Sequence, residues 1–291
     1  MNWQTISEHI SNATGKLFQA QNTHSIGGGD INSAYCLQDG ERRYFVKTNR
    51  AELVSMFEAE FFGLQELANT NTVRVPNPIT YGQSDRQSFI VLEHLELGRK
   101  SANFDRVFGE QLAKLHQLKQ PYYGWQRNNT IGSSPQPNNQ ESDWLIFWQK
   151  HRLGFQLKLA AKHGYHGRLQ TLGEKLSEQL PKFFKHYSPV PSLLHGDLWA
   201  GNATGDAQGL PVMFDPACYY GDREADLAMT ELFGGFGRDF YAAYNAVWAL
   251  DDDYNVRKTL YNLYHILNHL NLFGGGYGRQ AENMMEALLA L

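Results

Sequence analysis

The sequence predicts an α+β protein with two lobes, a small β-rich lobe followed by a larger and mostly helical one. Segments typical of strands are concentrated before Gly98, and apolar residues at helical spacing dominate after it. The chain has 291 residues, which is long for one domain, and 42% of them are hydrophobic, enough for a sizeable core. We place the boundary between the two lobes at residue 95, so that residues 1–95 form the β-rich lobe and residues 96–291 the helical lobe.

Composition excludes several classes of protein. Charged residues make up 19% of the chain and the net charge is −4, so neither a disordered tail nor a general nucleic-acid binder is expected. Two cysteines cannot form a disulfide framework, which favours a reducing compartment. The first residues lack the pattern of a signal peptide, and no 18-residue apolar run is present. We therefore expect a cytoplasmic protein that binds neither nucleic acid nor membranes.

The β-rich lobe is predicted to begin with a helix, because three apolar residues near the N-terminus follow helical spacing. The pattern then changes to a period of two around a hairpin turn at Asp39-Gly40. The predicted elements are a helix at 2–14, strands on both sides of a glycine-rich turn, a strand at 44–47, a helix at 51–69 and a strand at 87–93.

The second lobe is predicted to be helical, with a long loop rich in Asn, Pro, Gly and Ser at 121–141. Short strands and loops are expected at 190–216, where two apolar runs end in polar residues. The predicted helices span 103–118, about 142–162, 166–185 and most of the chain after 222.

Two carboxylates and one amide form the strongest chemical pattern. Asp197 follows a short apolar strand and precedes Asn202 by five residues, and Asp215 ends a second apolar run eighteen residues after Asp197. Phosphoryl transfer needs a carboxylate to orient a hydroxyl and accept its proton, and oxygen ligands to hold Mg²⁺. Each part of this pattern is weak evidence when taken alone, but the spacing of all three residues indicates a phosphotransferase.

The glycine-rich turn fits the same chemistry. Gly27, Gly28 and Gly29 lie between two predicted strands, where glycines allow backbone N–H groups to approach phosphate oxygens. Taken alone, three glycines are more often a simple hairpin turn.

Lys47 ends the predicted strand at 44–47, and an acidic residue on the next helix could direct its ammonium group toward phosphates. Glu58 and Glu60 are about 200° apart on a helix, so both cannot face the sheet. Glu60 adjoins the apolar stripe, and we therefore predict that it pairs with Lys47.

The order of these features resembles the protein-kinase-like fold, in its small-molecule kinase variant related to aminoglycoside phosphotransferases. More specifically, the chain is similar to the fructosamine kinase (ketosamine-3-kinase) family, and the similarity covers nearly its whole length. The segments that carry it are 57–60 with 63–64, 195–202, 221–229, 232–236 and 270–274.

The resemblance implies an ATP- and Mg²⁺-dependent kinase that phosphorylates the sugar 3-hydroxyl of ketosamines, a deglycation step. It implies that backbone groups of Glu93, His94 and Leu95 bind adenine. Lys47, held by Glu60, would contact the α- and β-phosphates. Asp197 would be the base, with Asn202 and Asp215 as the metal ligands.

The acceptor site is expected in the helical lobe, with Trp199, Tyr220 and His269 as candidates because they lie in or after the catalytic segments. For Trp199, packing within the protein and stacking on a sugar are equally expected. Asp226 is predicted to brace the catalytic loop by accepting backbone N–H bonds. The expected partner is a free or protein-bound ketosamine, and the chain is expected to be a monomer or a weak dimer.

Other functions remain open at this point. An enzyme of the same fold could act on an aminoglycoside, choline or a homoserine-like acceptor. A protein kinase is disfavoured, because no Ala-Pro-Glu segment follows Asp215 at the distance of an activation loop. A nucleotide-binding pseudokinase is disfavoured because the whole set expected of an active kinase is intact: Lys47, Glu60, Asp197, Asn202 and Asp215.

Overall fold

The computed structural model describes residues 2–27, 31–84 and 86–291. The chain divides into two compact units. The first contains Met1–Phe104 and Ala203–Pro216, and the second contains Asp105–Asn202 and Ala217–Leu291. The sequence placed the boundary at residue 95 and assigned 203–216 to the helical lobe. These residues join the first unit because β10 (Ala203–Asp206) pairs with β6 (Leu97–Gly98) and β11 (Pro211–Met213).

The first unit is built on a five-stranded antiparallel sheet with the order β1-β2-β3-β5-β4. Burial differs between its strands: the edge strand β1 is mostly exposed, whereas β5 has five consecutive buried residues, Ser88–Leu92. The elements are α1 (Trp3–Thr14), β1 (Asn22–Ile26), β2 (Ser33–Asp39), β3 (Arg42–Arg50), α2 (Val54–Asn69), β4 (Pro78–Ser84) and β5 (Gln87–Glu93), with a short 3₁₀ turn at Ala51–Leu53 before α2.

The core of this unit is formed where α1 packs on the sheet. Ile6 and Ile10 of α1 are buried against strand residues that include Val46 and Phe89. Asn2 caps α1, its side chain accepting the N–H of Thr5, and the helix ends before Gly15 in a left-handed conformation. The helix predicted at 2–14 therefore begins and ends as its capping residues dictate.

The second unit is mostly helical, and its long helix α9 packs against α5, α7 and α10. Its two small sheets pair β9 with β12 and β7 with β8. The elements are α3 (Phe104–His116), β7 (Asn129–Ile131), β8 (Ser134–Gln136), α4 (Trp144–Phe147), a π-helical turn (Trp148–Leu153), α5 (Gly154–Lys162), α6 (Arg168–Gln179), a 3₁₀ turn (Leu180–Phe184), β9 (Ser192–Leu194), β12 (Tyr219–Gly221), α7 (Glu224–Leu232), α8 (Arg238–Val247), α9 (Tyr254–Phe273) and α10 (Tyr277–Leu289).

Two predictions for this unit need correction. The segment 121–141 is not all loop, because β7 and β8 form a hairpin whose turn contains Gly132 with φ of +59°. The helix predicted at about 142–162 is interrupted by the π-helical turn. No helix within 2–27, 31–84 or 86–291 is long and apolar enough to cross a membrane.

Candidate active site

In the first unit, Lys47 lies within β3 rather than at its end. The strand continues past Lys47 because β2 pairs with it as far as Thr48 and β5 pairs with it as far as Arg50. Lys47 is only 7% exposed, so it is not a solvated strand-end lysine. A buried ammonium group needs anionic partners, and the fold supplies two.

Those partners are Glu60 and Asp215. Lys47 Nζ lies 2.6 Å from Glu60 Oε1 and 2.5 Å from Asp215 Oδ1. Burial would lower the pKa of Lys47, but the two carboxylates outweigh it and raise the pKa above its usual value. The lysine therefore stays charged, with its position fixed from two sides. Glu58 accepts a hydrogen bond from Tyr81 Oη at 3.2 Å.

Asp215 is held in a sparsely populated backbone conformation. Its φ of +54° lies in the left-handed region, which costs energy for a residue with a side chain. Half of its side chain is exposed, at 55%, although Lys47 holds one oxygen. An accessible carboxylate of this kind is a hard oxygen ligand of the type that Mg²⁺ takes.

The predicted adenine segment lies at the end of β5. The Glu93 carboxylate accepts hydrogen bonds from Arg74 Nη2 at 2.9 Å and from Asn77 N and Nδ2 at 3.1 and 3.0 Å. The Glu93 N–H is engaged as well, donating to the backbone oxygen of Asn77 at 2.8 Å. Adenine binding by backbone groups of Glu93, His94 and Leu95 stays a prediction. Gly27 is exposed, whereas Gly28 and Gly29 lie outside the described residues.

In the second unit, the catalytic loop, residues 195–202, follows the buried strand β9. Asn202 Nδ2 donates to the backbone oxygen of Asp197 at 2.8 Å and lies 3.4 Å from Asp197 Oδ2. This bond turns the amide oxygen of Asn202 away from the Asp197 carbonyl, where it can serve as a ligand. Asp197 and Asn202 therefore share one tight turn, and their oxygens suit a divalent cation.

Asp226 of α7 braces this loop, as predicted. Its two oxygens accept the N–H of His195 at 2.7 Å and of Gly196 at 2.8 Å, and His116 Nε2 lies 3.2 Å away. Burial would raise the pKa of Asp226, but these hydrogen bonds and the nearby histidines lower it overall. The carboxylate stays ionised at 1% exposure because its partners replace water.

Replacing Asp226 with Asn should lower the free energy of unfolding by about 3 kcal/mol, the usual cost of breaking a buried charged network. An amide can accept at only one atom, so either His195 N or Gly196 N loses its acceptor. Thermal unfolding measures the effect, with Asp253→Asn at an exposed position as the control. Equal melting temperatures for the two variants would contradict the bracing role.

The three acceptor candidates differ in their surroundings. Trp199 is 38% exposed, and its ring packs on Gly201, where an added Cβ would lie 2.3 Å from the indole. Tyr220 is buried in β12 at 5% exposure. The ring of His269 contacts Phe233, Phe273 and Tyr277 at centroid distances of 4.9, 5.5 and 5.2 Å.

Comparison with known proteins decides the family. The sequence pattern that describes fructosamine kinases matches residues 2–291. The chain belongs to the fructosamine kinase family. This confirms the family predicted from the motifs, and with it a kinase.

Named relatives align with almost the whole length of this chain. A Synechocystis protein named as a probable ketoamine kinase is 48% identical over 99% of this chain and 97% of its own length. The rice protein named protein-ribulosamine 3-kinase, chloroplastic, is 41% identical over 95% of this chain and 81% of its own.

Solved structures confirm the predicted fold. A candidate fructosamine-3-kinase from Haemophilus somnus 129PT gives a TM-score of 0.90 at 29% identity, covering 99% of this chain and 97% of that one. A thermostable mutant of aminoglycoside phosphotransferase APH(4)-Ia, in a ternary complex with AMP-PNP and hygromycin B, gives a TM-score of 0.64 at 12% identity and covers 98% of each chain. The second likeness concerns the fold alone.

Proposed function

We propose that this fructosamine kinase transfers the γ-phosphoryl group of ATP to the 3-hydroxyl of a ketosamine. The observation that carries the proposal is the 41% identity to proteins named protein-ribulosamine 3-kinase, over 95% of the chain. The hydroxyl oxygen bonds to the γ-phosphorus, the bond to the leaving oxygen of ADP breaks, and the hydroxyl proton passes to a carboxylate. The phosphorylated ketosamine then eliminates phosphate and frees its amine.

In this proposal Asp197 orients the acceptor hydroxyl and takes its proton. Lys47, fixed by Glu60 and Asp215, holds the α- and β-phosphates as a buried point charge. Asn202 and Asp215 would hold Mg²⁺, which neutralises charge on the phosphates when it is bound. The chain supplies position and electrostatics, which are the main contributions to phosphoryl transfer.

The acceptor would bind in the helical unit, against Trp199 and the ring set around His269. A ketosamine carries a basic amine, and aromatic faces attract such a cation. Tyr220 is included because it follows the catalytic segments in sequence, and its hydroxyl is the polar group that it would offer to the acceptor.

Substitutions at these positions should raise KM for the ketosamine more than KM for ATP, because lost acceptor contacts weaken acceptor binding. We expect at least about a fivefold rise for Trp199→Ala and His269→Ala, the size of one lost packing or hydrogen-bond contact. Tyr220→Phe tests the hydroxyl without emptying a buried position. Ile146→Ala, at an exposed apolar residue of the same unit, is the control. An unchanged acceptor KM in all three variants would remove them from the pocket.

The acceptor class is tested by measuring ATP consumption with ketosamines, aminoglycosides and choline under identical conditions. We expect turnover with fructosamines or ribulosamines, with one phosphate gained by mass and free amine appearing afterwards. Faster turnover of an aminoglycoside or choline would replace the proposal with another small-molecule kinase. Nucleotide binding without turnover on any acceptor would favour a pseudokinase.

We also propose that the protein works in a reducing compartment such as the cytoplasm. Cys36 and Cys218 are both buried and outside any disulfide, as expected for small core side chains in a reduced protein. A monomer or weak dimer remains the expected state. Measuring the molar mass in solution by light scattering, across a range of protein concentrations, tests it.

A further inference from the structure

Three amide side chains of the β7–β8 hairpin, Asn129, Gln136 and Asn138, form a buried group that we call the amide cluster. Gln136 and Asn138 are each 1% exposed. Gln136 Nε2 donates to the backbone oxygen of Ala217 at 3.1 Å and to Asn129 Oδ1 at 2.8 Å. Asn129 Nδ2 donates to the backbone oxygen of Cys218 at 2.8 Å. The cluster therefore holds two successive carbonyls of one segment.

The orientation of each amide follows from its neighbours. Arg152 can only donate, so Asn138 must turn its oxygen to Arg152 Nη2, at 2.7 Å. The nitrogen of Asn138 then donates to Asn129 Oδ1 at 2.8 Å, which directs the nitrogen of Asn129 to Cys218. Flipping any one amide of the cluster would place donor against donor or acceptor against acceptor, so the arrangement has one low-energy state.

Gln136 is fixed in the same way. The side-chain nitrogen of Gln136 faces two oxygens that can only accept, Ala217 O and Asn129 Oδ1. Its oxygen accepts the hydroxyl of Tyr264 at 2.7 Å. The amide cluster is thus also joined to α9, which carries Tyr264.

Ala217 connects the cluster to that loop. Its N–H donates to the backbone oxygen of His195 at 2.8 Å. Its carbonyl lies 2.1 Å from the place that a Cβ on Gly196 would occupy, and Gly196 has a φ of +83°. The Ala217 peptide is therefore packed against the two residues that precede Asp197. Any movement of this peptide must move the backbone that carries Asp197.

We propose that Gln136 is a positioning residue for phosphoryl transfer. Through Ala217 it fixes the backbone of His195 and Gly196, and thereby the direction in which Asp197 presents its carboxylate. The inference rests on the proposed function, since it assigns Gln136 a part in placing the base. Orientation of a base matters most in the transition state, so loss of Gln136 should act on kcat and leave ATP binding unchanged.

The first test compares two matched variants. Gln136→Met keeps the size of the side chain and removes both donated bonds. Gln170→Met does the same at a partly buried glutamine of α6 whose Nε2 also donates two hydrogen bonds, to the backbone oxygens of Leu157 in α5 and of Tyr165 in the loop before α6. We expect kcat to fall about tenfold or more in the first variant and less than twofold in the second, with the KM for ATP unchanged in both. Equal kcat values in the two variants would overturn the proposal.

A second variant, Gln136→Glu, keeps the test valid if the methionine variant fails to fold. An ionised carboxylate would face two acceptor oxygens, whereas the protonated form can donate to Ala217 O. Burial raises the pKa of such a carboxyl. The kcat of the variant relative to the native enzyme should therefore rise at least fivefold between pH 8.5 and 6. A ratio that does not change with pH would contradict the proposal.

Hydrogen exchange at the Ala217 amide separates this inference from the proposed function, because it needs no substrate. Exchange should accelerate at least tenfold in Gln136→Met and stay unchanged in Gln170→Met. If the native protein phosphorylates no ketosamine but Ala217 exchange responds in this way, the proposed function fails and the positioning contact stands. Unchanged exchange at Ala217 in Gln136→Met overturns the inference whatever the activity.

Discussion

Asp197→Asn is expected to lower kcat by at least about 100-fold, within the usual range for loss of a general base. The acceptor is a secondary hydroxyl, a poor nucleophile whose proton leaves late in a loose transition state. The amide keeps the shape of the side chain but loses its charge and almost all of its basicity. Asn202 donates mainly to the backbone oxygen of Asp197, and that bond survives the substitution.

The competing explanation is that Asp197 only braces the loop. In that case the variant should lose stability and nucleotide binding together with activity. Measuring kcat, the Kd for ATP and the melting temperature on one preparation separates the two, with Asp239→Asn at an exposed position as the control. Retention of more than a tenth of kcat would exclude Asp197 as the base.

Asp215→Ala is expected to abolish turnover while the protein stays folded. The substitution removes a hard oxygen ligand and one of the two carboxylates that hold Lys47. The side chain is 55% exposed, so little packing is lost. The remaining cost comes from the left-handed backbone at φ of +54°, where alanine should lower the free energy of unfolding by roughly 1 kcal/mol.

Asp215→Asn separates these effects, because asparagine tolerates the left-handed region and keeps the shape of the side chain. We expect turnover to be lost in both variants at saturating Mg²⁺, with a near-native melting temperature in Asp215→Asn. Glu96→Ala, which removes an exposed carboxylate of the same unit, should keep full activity. Normal turnover in either Asp215 variant would remove this residue from the metal site.

Local patterns predicted those parts of the molecule whose partners lie nearby in sequence. Helix spacing and the apolar stripe together selected Glu60 over Glu58 as the partner of Lys47, and the structure places Glu60 at 2.6 Å. Bracing by Asp226 was also predicted, and its two backbone bonds confirm it, although the residues it holds lie 31 and 30 positions earlier.

Features that depend on distant segments could not be predicted. The hairpin at 129–136 resembled a loop because its polar side chains bond to carbonyls more than eighty residues away, at 217 and 218. The burial of Lys47 depends on a second carboxylate, that of Asp215, which lies 168 residues away and which no strand pattern encodes. The roles of Asp197, Asn202 and Asp215 themselves stay predictions until the variants are measured.

The π-helical turn at Trp148–Leu153 makes this region sensitive to chain length. A π-helical turn contains one residue more than an α-helical turn, so the helix before it and the helix after it are out of phase. Deleting one residue there would restore a continuous α-helix and rotate α5 by about 100° relative to α4. The buried Leu157 and Ala160 would then rotate away from the core, and the exposed Lys158 would rotate toward it. Relatives that differ in length in this segment should therefore carry compensating changes in the apolar pattern of α5.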